Sequence, residues 1–348
     1  MEHSMGIDLH RKYFVATIVD EDGEVVRRDR VSTDRLAIEG YLESLDGEKP
    51  GKAVMEACYN WSYLYDQLEG EFEEVLLAHP LKTKAIAEAR IKNDVLDSET
   101  LAQLLRAGLI AQAYAPPRET RDVKNLLRYR SSIVGARTSF KNRVHAVLAR
   151  NHVEHPTLRE LSDIFGRRGM AVMRSLELYG HDTAILNGLL DIVDEFTARE
   201  LELRKQIKAM NREDDITRLL MTVPGIGDIT ALLIRYEIDD IDRFLSPGKL
   251  CSYAGIVPCT HSSGGKTYHG RITKQGNRWL RWGIIEASHK ATVTSPSLAA
   301  YHARIKGRRC SRGPGEEAAQ DRVLRLEGEE ALLRRPDKDW IAAALSNV

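Results

Sequence analysis

Short runs of apolar residues separated by polar turns fill the first third of the chain. The stretch MGIDLHRKYFVATIV, residues 5–19, is rich in strand-forming residues and predicts one strand. The turn DEDG and the returning segment EVVRRDRVS predict its hairpin partner, and KAVMEACYNW and EEVLLAHP predict further strands. Helical spacing appears in WSYLYDQLEG, LKTKAIAEARIK and SETLAQLLRAGLI. Strands that alternate with helices predict an α/β domain with a mixed sheet over residues 1–115.

The middle of the chain is patterned as two long helices, and we assign residues 116–215 to a basic helical or coiled-coil linker. Residues 118–150 predict one helix, in which apolar residues recur among many cations. Residues 183–210 carry apolar side chains at alternating spacings of three and four, which indicates coiled-coil-like packing, although Glu200 interrupts one core position. The partner of this second helix is either the basic helix of the same chain or a second subunit.

The segment TVPGIGDITALLI opens a third, mainly helical domain over residues 216–305. Its Pro-Gly-Ile-Gly turn fits a helix-hairpin-helix, in which backbone N–H groups at Gly225 and Gly227 would hold a phosphate. A tight turn that needs glycine for its backbone explains the same residues. A helix is also predicted over RWLRWGIIEASHKATV, and residues 306–348 form an atypical tail.

Composition and charge narrow the class of protein. The 348 residues have 43% hydrophobic and 29% charged side chains, as in ordinary globular proteins. No apolar run is long enough for a membrane span and no secretion signal precedes the first strand, so we expect a cytoplasmic protein. The four cysteines show no CxxC pair, which disfavours a disulfide framework, and a metal shared by Cys259, His261 and His269 lacks a fourth ligand.

The formal net charge of zero conceals two basic islands. Residues 116–150 hold nine Lys or Arg against two acids, and residues 259–290 hold six against one. Such clustering favours a phosphate-binding face and hence a nucleic-acid partner. The predicted nucleic-acid contacts, including the two glycines above, are Arg118, Arg121, Lys124, Arg128, Arg130, Arg137, Lys141, Arg143, Gly225, Gly227, Lys266, Arg271, Lys274, Arg278 and Arg281.

Four carboxylates form the first candidate for chemistry. Asp8 lies in the first strand, Glu56 ends another strand, and Asp94 and Asp97 lie three residues apart at a helix start. Each has an ordinary explanation, such as a helix cap for Asp94. Acids on two strands and a following helix can, however, converge at one edge of a sheet. Their repulsion would then be relieved by Mg²⁺ or Mn²⁺, which clamps phosphate oxygens and activates a nucleophile.

A serine pair followed by two glycines forms the second candidate. In HSSGGKTYHGRITKQGNRWLRW, Ser262 and Ser263 precede Gly264–Gly265, and cations follow. An activated serine would attack a phosphodiester and conserve the bond energy in a covalent link to DNA. From the residues of the loop alone, a simple phosphate-binding turn is the favoured explanation.

Taken in order, the segments GIDLH, MEACYNW, KNDVLDSE, TVPGIGDITA and YAGIVPCTHSSGGKTYHGRITKQGNRWLR resemble the IS110-family insertion-sequence transposases. The resemblance covers about residues 5–305. It implies an RNase H/RuvC-like DEDD nuclease domain with Asp8, Glu56, Asp94 and Asp97 as catalytic metal ligands. It also implies a coiled-coil linker and a transposase domain with a nucleophilic serine, which maps onto Ser263 with Ser262 as the fallback.

The resemblance implies a recombinase guided by a structured non-coding RNA that exchanges strands of donor and target DNA as a dimer or tetramer. In that family the acids and the serine of one active site come from different subunits. Two rival functions remain: a metal-dependent nuclease of the Holliday-junction resolvase type, with water as nucleophile, and a non-catalytic nucleic-acid-binding relic. The acidic tail departs from the basic helical end of related proteins, and either natural variation or a shifted reading frame would explain it.

Overall fold

A computed structural model describes residues 3–45, 49–86, 94–210, 214–263 and 266–310, without the side chains of residues 85, 266, 267, 269 and 305–310. The predicted glycine hinge at residues 264–265 and the tail from residue 311 onward lie outside the described residues, as does the side chain of Lys266. The chain divides into two units, Met1–Arg118 and Glu119–Val348. In the described ranges no helix is both long and apolar enough to cross a membrane.

The first unit is a six-stranded mixed sheet with helices, as the alternating pattern predicts. Its strand order, β3-β2-β1-β4-β5-β6, has β1 parallel to β4 and β4 parallel to β5, whereas β2, β3 and β6 run antiparallel to their neighbours. This mixed α/β arrangement is consistent with an RNase H-like fold. The elements are β1 Ser4–Leu9, β2 Tyr13–Val19, β3 Val25–Ser32, α1 Arg35–Glu43, β4 Lys52–Glu56, α2 Trp61–Glu69, β5 Glu74–Ala78, α3 Pro80–Ile86, α4 Asp94–Arg106 and β6 Gln112–Ala113.

The prediction of one strand over residues 5–19 is wrong. The segment forms two antiparallel strands, β1 and β2, whose register pairs Leu9 with Phe14. Three consecutive polar residues, His10, Arg11 and Lys12, interrupt the apolar run, and the His10 N–H closes the hairpin by donating to the Tyr13 carbonyl at 2.9 Å. The short turn therefore brings Tyr13 beside His10 at the end of β1.

The two faces of this sheet bury different cores. Met5, Ile7 and Leu9 of β1 join α1 and α2 residues in the main core, while Val54 of β4 packs with Leu101 of α4 on the opposite face. Gly6 lets α4 lie directly on β1, because a Cβ there would come within 2.1 Å of the Ser98 backbone oxygen. The alternation of a strand thus assigns odd-numbered residues of β1 to one core and even-numbered residues to α4.

The second unit is mainly helical. Its elements are α5 Arg118–Arg150, α6 Pro156–Glu160, α7 Arg167–Arg174, α8 Asp182–Met210, α9 Asp215–Leu220, α10 Asp228–Ile238, α11 Pro247–Ala254, β7 Pro258–Ser263, β8 Lys266–Ile272, α12 Arg278–Thr294 and α13 Pro296–Cys310. Helix α5 starts at the last residue of the first unit. The two long helices, α5 and α8, match the predicted helical segments closely.

Helices α5 and α8 pack against each other within one chain in antiparallel directions. Arg150 bonds Asp182 at one end, the Phe140 and Phe196 rings lie 5.8 Å apart, and Arg130 pairs with Glu200 nearer the other end. The partner left open by the sequence is therefore the chain's own basic helix in the described structure. Glu200 is buried because Arg130 neutralises it inside this helix pair, with Arg137 at 3.9 Å.

Candidate active site

Asp8 and Glu56 lie side by side at one edge of the sheet. Parallel strands β1 and β4 pair Ile7 with Met55, so the next residues in each strand, Asp8 and Glu56, stand at the same level. Both belong to the face covered by α4, because their neighbours Ile7 and Met55 face the opposite core. Asp8 is partly buried and Glu56 is exposed.

Helix α4 brings two further carboxylates to this face. Asp94 and Asp97 occupy its first turn, where the positive end of the helix dipole favours negative side chains. The close approach at Gly6 and a buried hydrogen bond of 2.8 Å between the Thr17 and Ser98 hydroxyls fix the helix on the sheet. We refer to Asp8, Glu56, Asp94 and Asp97 as the carboxylate edge.

Two of these carboxylates share one histidine. His10 Nε2 lies 3.0 Å from Asp8 Oδ2 and 3.3 Å from Asp94 Oδ2, and the Tyr13 hydroxyl donates to Asp94 Oδ2 at 2.9 Å. The Arg30 guanidinium lies over the Tyr13 ring, 3.8 Å from its centroid. One imidazole thus contacts both Asp8 and Asp94. The Tyr13 hydroxyl also contacts Asp94, and Arg30 lies over the Tyr13 ring.

The electrostatics differ between these two acids. Burial raises the pKa of Asp8, the negative charges of Asp94 and Asp97 add to the rise, and His10 opposes it. The hydrogen bond from Tyr13 lowers the pKa of Asp94 and, conversely, raises the pKa of Tyr13. The Asp97 charge is therefore close enough to act on Asp8.

Glu56 is close to the same group of charges. Burial raises the pKa of the neighbouring Cys58 thiol, and the negative charges of Glu56 and Asp8 both contribute to that rise. The Cys58 thiol donates to Asn60, whose side-chain amide donates to the His10 carbonyl. The segment after β4 is therefore tied to the hairpin that carries His10.

Among the described residues, two acids of this edge and His10 have ligand atoms close enough to share a divalent cation. One ligand atom from each of Asp8, His10 and Asp94 lies within 4.8 Å of the others. Carboxylate oxygens are the ligands that Mg²⁺, Mn²⁺ and Ca²⁺ prefer. A partly buried carboxylate with a raised pKa also gains most from a cation, because repulsion from its neighbours is relieved.

His10 and Tyr13 were not among the residues predicted for the site. Their positions depend on the tight turn between β1 and β2, which was missed when residues 5–19 were interpreted as one strand. The signal was present, because the polar triplet His-Arg-Lys divides two apolar runs of strand length.

Ser262 and Ser263 end strand β7 in the second unit. This strand forms an antiparallel hairpin with β8, and its register pairs Ser263 with Lys266 across the turn. Both serines are exposed. Successive strand residues point to opposite faces, so the two hydroxyls are presented in opposite directions.

The loop between this hairpin and α12 is held by hydrogen bonds of Asn277. The Asn277 N–H donates to the Tyr253 carbonyl at 2.7 Å, and its side chain both caps α12 and donates to the buried Glu237. Lys274, in the connecting loop, has a left-handed φ of 54°, which costs energy for a residue other than glycine. The backbone next to the hairpin is thus held in one specific conformation.

The predicted nucleic-acid cations fall into two groups. Lys124 and Arg128 pair with Glu237, Arg130 and Arg137 with Glu200, and Arg281 donates to the Ala254 carbonyl. These side chains contribute to the interior contacts of the second unit, which does not support a role in binding nucleic acid. The exposed members of the predicted set are Arg118, Arg143, Arg271, Lys274 and Arg278, while Arg121 and Lys141 are half-buried.

The two glycines of the Pro-Gly-Ile-Gly turn also differ, because one has a packing role and the other does not. Gly225 has a φ of +91°, and a Cβ there would lie 2.3 Å from the Ala287 oxygen of α12. Helix packing therefore explains Gly225. Gly227 is the N-cap of α10, and a Cβ there would meet no atom within 4 Å, so Gly227 remains a predicted phosphate contact.

Comparisons with known proteins agree with this arrangement. A model of the DEDD transposases of IS110 elements matches residues 5–153, and one described as the transposase IS116/IS110/IS902 family matches residues 217–303. The IS1111A transposase of Coxiella burnetii is 26% identical over 82% of this chain and 76% of that protein. A probable family 20 transposase of Pseudomonas aeruginosa is 27% identical over 99% of this chain and 93% of its own length.

A third relative has a similar extent. The IS1328 transposase of Yersinia enterocolitica is 24% identical over 82% of each chain. The first family model covers the whole carboxylate edge, and the second covers the β7–β8 hairpin with both serines. The chain therefore belongs to the IS110 family of insertion-sequence transposases, enzymes that cleave and transfer DNA strands.

Proposed function

We propose that this transposase cuts and rejoins DNA through a covalent serine–DNA intermediate, with Asp8, Glu56, Asp94 and Asp97 binding a divalent cation, Mg²⁺ or Mn²⁺. The observation that carries the proposal is the convergence of acids from β1, β4 and α4 on one face of the sheet. A metal-ion centre built from oxygen ligands is a common solution for phosphoryl transfer.

In the proposed reaction the Ser263 Oγ forms a bond to a DNA phosphorus atom and loses its proton. The phosphorus–oxygen bond to one deoxyribose breaks, and the released oxygen takes up a proton. Attack by the hydroxyl of another strand reverses these steps and frees the serine. A divalent ion at the carboxylate edge would neutralise phosphate charge and favour the deprotonated nucleophile.

Ser263, rather than the fallback Ser262, is the proposed nucleophile. The family resemblance favours the serine directly before the glycine, and Ser263 is the last residue of β7 at the turn. The opposite orientation of adjacent strand residues means that the two hydroxyls cannot exchange roles without a change of register. Ser262 remains as an internal control.

We also propose a structured non-coding guide RNA as partner and a homo-oligomer, dimer or tetramer, as the active form. The family resemblance supports both. The exposed cations Arg271, Lys274 and Arg278 follow the serine turn and suit the phosphates of DNA or RNA equally.

The test is a denaturing gel of full-length protein incubated with its element-end RNA, labelled donor and target DNA, and Mg²⁺. Wild type and Ser262→Ala should give a protein–DNA adduct and strand-transfer product. Ser263→Ala should give neither, and Asp8→Asn should lose cleavage altogether.

Two other outcomes would overturn the proposal. Cleavage by Ser263→Ala that stays metal-dependent and leaves no adduct would identify a nuclease that uses water. Identical behaviour of wild type and Asp8→Asn would identify a non-catalytic binding protein.

A further inference from the structure

His10 stands between two carboxylates of the proposed metal site. Its Nε2 atom lies 3.0 Å from Asp8 Oδ2 and 3.3 Å from Asp94 Oδ2, and about a third of its side chain is exposed. Either carboxylate accepts a hydrogen bond from a protonated imidazole at these distances. The same distances also suit a ring nitrogen that binds a metal ion together with the two carboxylates.

The separations match those between neighbouring ligands of one ion. Oxygen ligands lie about 2.0–2.1 Å from Mg²⁺ in an octahedral shell, so adjacent donor atoms are roughly 3 Å apart. His10 Nε2 has this separation from Asp8 Oδ2, and nearly this separation from Asp94 Oδ2. The His10 nitrogen therefore lies at ligand spacing from both carboxylates, and all three donor atoms lie within 4.8 Å of one another.

The backbone around His10 is fixed before any ion binds. Its N–H donates to the Tyr13 carbonyl at 2.9 Å, and its own carbonyl accepts from the Asn60 side chain at 3.3 Å. The His10 ring also contacts the Tyr13 ring, with centroids 4.8 Å apart. A ligand held by its hairpin in this way binds with little loss of conformational freedom.

We propose that His10 is a ligand of the divalent ion through Nε2, which makes the centre a mixed nitrogen–oxygen site. The proposal rests on the proposed function, since it adds a ligand to the carboxylate edge. It also specifies the cation, because imidazole binds transition metals well whereas Mg²⁺ prefers oxygen ligands and retained water. His10 therefore shifts the selectivity of this site from Mg²⁺ toward Mn²⁺.

Pulsed electron paramagnetic resonance of Mn²⁺ added to the full-length protein tests this ligand directly. Wild type should show coupling between Mn²⁺ and an imidazole nitrogen, and His10→Ala should lose it. The control His289→Ala, at an exposed position on α12, should keep it. The coupling is a property of a direct metal–nitrogen bond and does not report on folding.

Affinity gives the second measurement. In titrations of the same proteins, His10→Ala should weaken Mn²⁺ binding about tenfold or more, and Mg²⁺ binding, measured by competition, by clearly less. His10→Gln, which keeps a hydrogen-bonding side chain, should resemble His10→Ala. An unchanged Mn²⁺ to Mg²⁺ affinity ratio, or nitrogen coupling that survives in His10→Ala, would overturn the proposal.

Asp8→Asn separates this inference from the proposed function. Loss of Mn²⁺ binding in Asp8→Asn, with no nitrogen coupling in wild type, would leave the carboxylate site standing and remove His10 from it. Mn²⁺ binding that is unchanged in Asp8→Asn would remove the carboxylate site itself.

Discussion

The two units compensate the negative charge of their carboxylates in different ways. In the second unit Glu237 is fully buried, and Arg128, Lys124 and Asn277 all contact it. In the first unit the described partners of Asp8 and Asp94 are His10 and Tyr13 rather than lysine or arginine. The charge of Glu237 is neutralised by cations of the protein. The acids beside His10 leave negative charge that an external cation would neutralise.

This difference separates a structural acid from a candidate functional one. Removing one member of the Glu237 cluster leaves an uncompensated buried charge and destabilises the fold, whereas Asp8 and Asp94 share a single imidazole. The raised pKa of Asp8 agrees with incomplete compensation, because burial and neighbouring acids disfavour its ionised form. Whether neighbouring cations compensate an acid is thus a better guide to its role than the presence of the acid alone.

The largest effect should follow from neutralising Asp8, the more buried of the two acids beside His10. Asp8→Asn is expected to reduce DNA cleavage by at least about a hundredfold, because several kcal/mol of charge stabilisation are lost with the ion. Cleavage rates of labelled DNA under saturating Mn²⁺ measure this. Activity within threefold of wild type would break the comparison, because the charge of Asp8 would then have no role in catalysis.

Glu237→Ala tests the paired cluster. The change leaves the buried Lys124 without its counter-charge and should lower the free energy of unfolding by about 3–5 kcal/mol. Denaturant titration measures the loss, and Glu286→Ala, an exposed acid on α12, should change it by less than about 0.5 kcal/mol. Equal effects of the two substitutions would mean that the cluster contributes no stability.

Gly6→Ala perturbs the carboxylate edge without altering any charge. The new methyl group would meet the backbone of α4, so the helix must shift, at a cost of about 1–3 kcal/mol. Because α4 carries Asp94 and Asp97, Mn²⁺ affinity should fall as well. Gly40→Ala, where a Cβ meets no atom within 4 Å, is the matched control for calorimetric titration. Unchanged Mn²⁺ affinity in Gly6→Ala would show that metal binding does not depend on the position of α4.

The smallest effect concerns cations at the surface. Lys274→Ala should weaken DNA binding modestly and reduce the slope of log affinity against log salt by about 1. Lys205→Ala, on the exposed side of α8 and outside both basic islands, should leave the slope unchanged. Fluorescence anisotropy between low and physiological salt compares them. Equal slopes for all three proteins would exclude Lys274 from phosphate contact.

Much of this fold is predictable from short-range patterns. The predicted helices over residues 118–150 and 183–210 follow from apolar spacing, and the mixed sheet follows from the alternation of strands and helices. The β1–β2 turn was missed because β-forming residues on both sides of the polar triplet look like one continuous strand. Strands β7 and β8 were missed because their sequences, PCTHSS and KTYHGRI, are mostly polar and lack the apolar alternation that indicates a strand.

The fate of individual charges depends on long-range contacts. Glu237 lies 109 residues after Arg128 in the chain, and Glu200 lies 70 residues after Arg130, so no local pattern distinguishes these buried cations from surface ones. The acids of the first unit were easier to identify, because strand ends and a helix start already suggested a common edge. The contact of Asp8 and Asp94 with His10 could not be predicted without the β1–β2 hairpin.

The most direct test compares hydrogen exchange of the α4 amides in wild type and Asp8→Asn with and without Mn²⁺, using α8 as an internal reference. Without the ion, Asp8→Asn should be protected at least as well as wild type, because a repelling carboxylate is gone. With Mn²⁺ at about 100 times its dissociation constant, wild type should gain up to about 2.7 kcal/mol of protection in α4 and the variant almost none. Equal gains in both proteins, or none in either, would contradict a cation bound at the carboxylate edge.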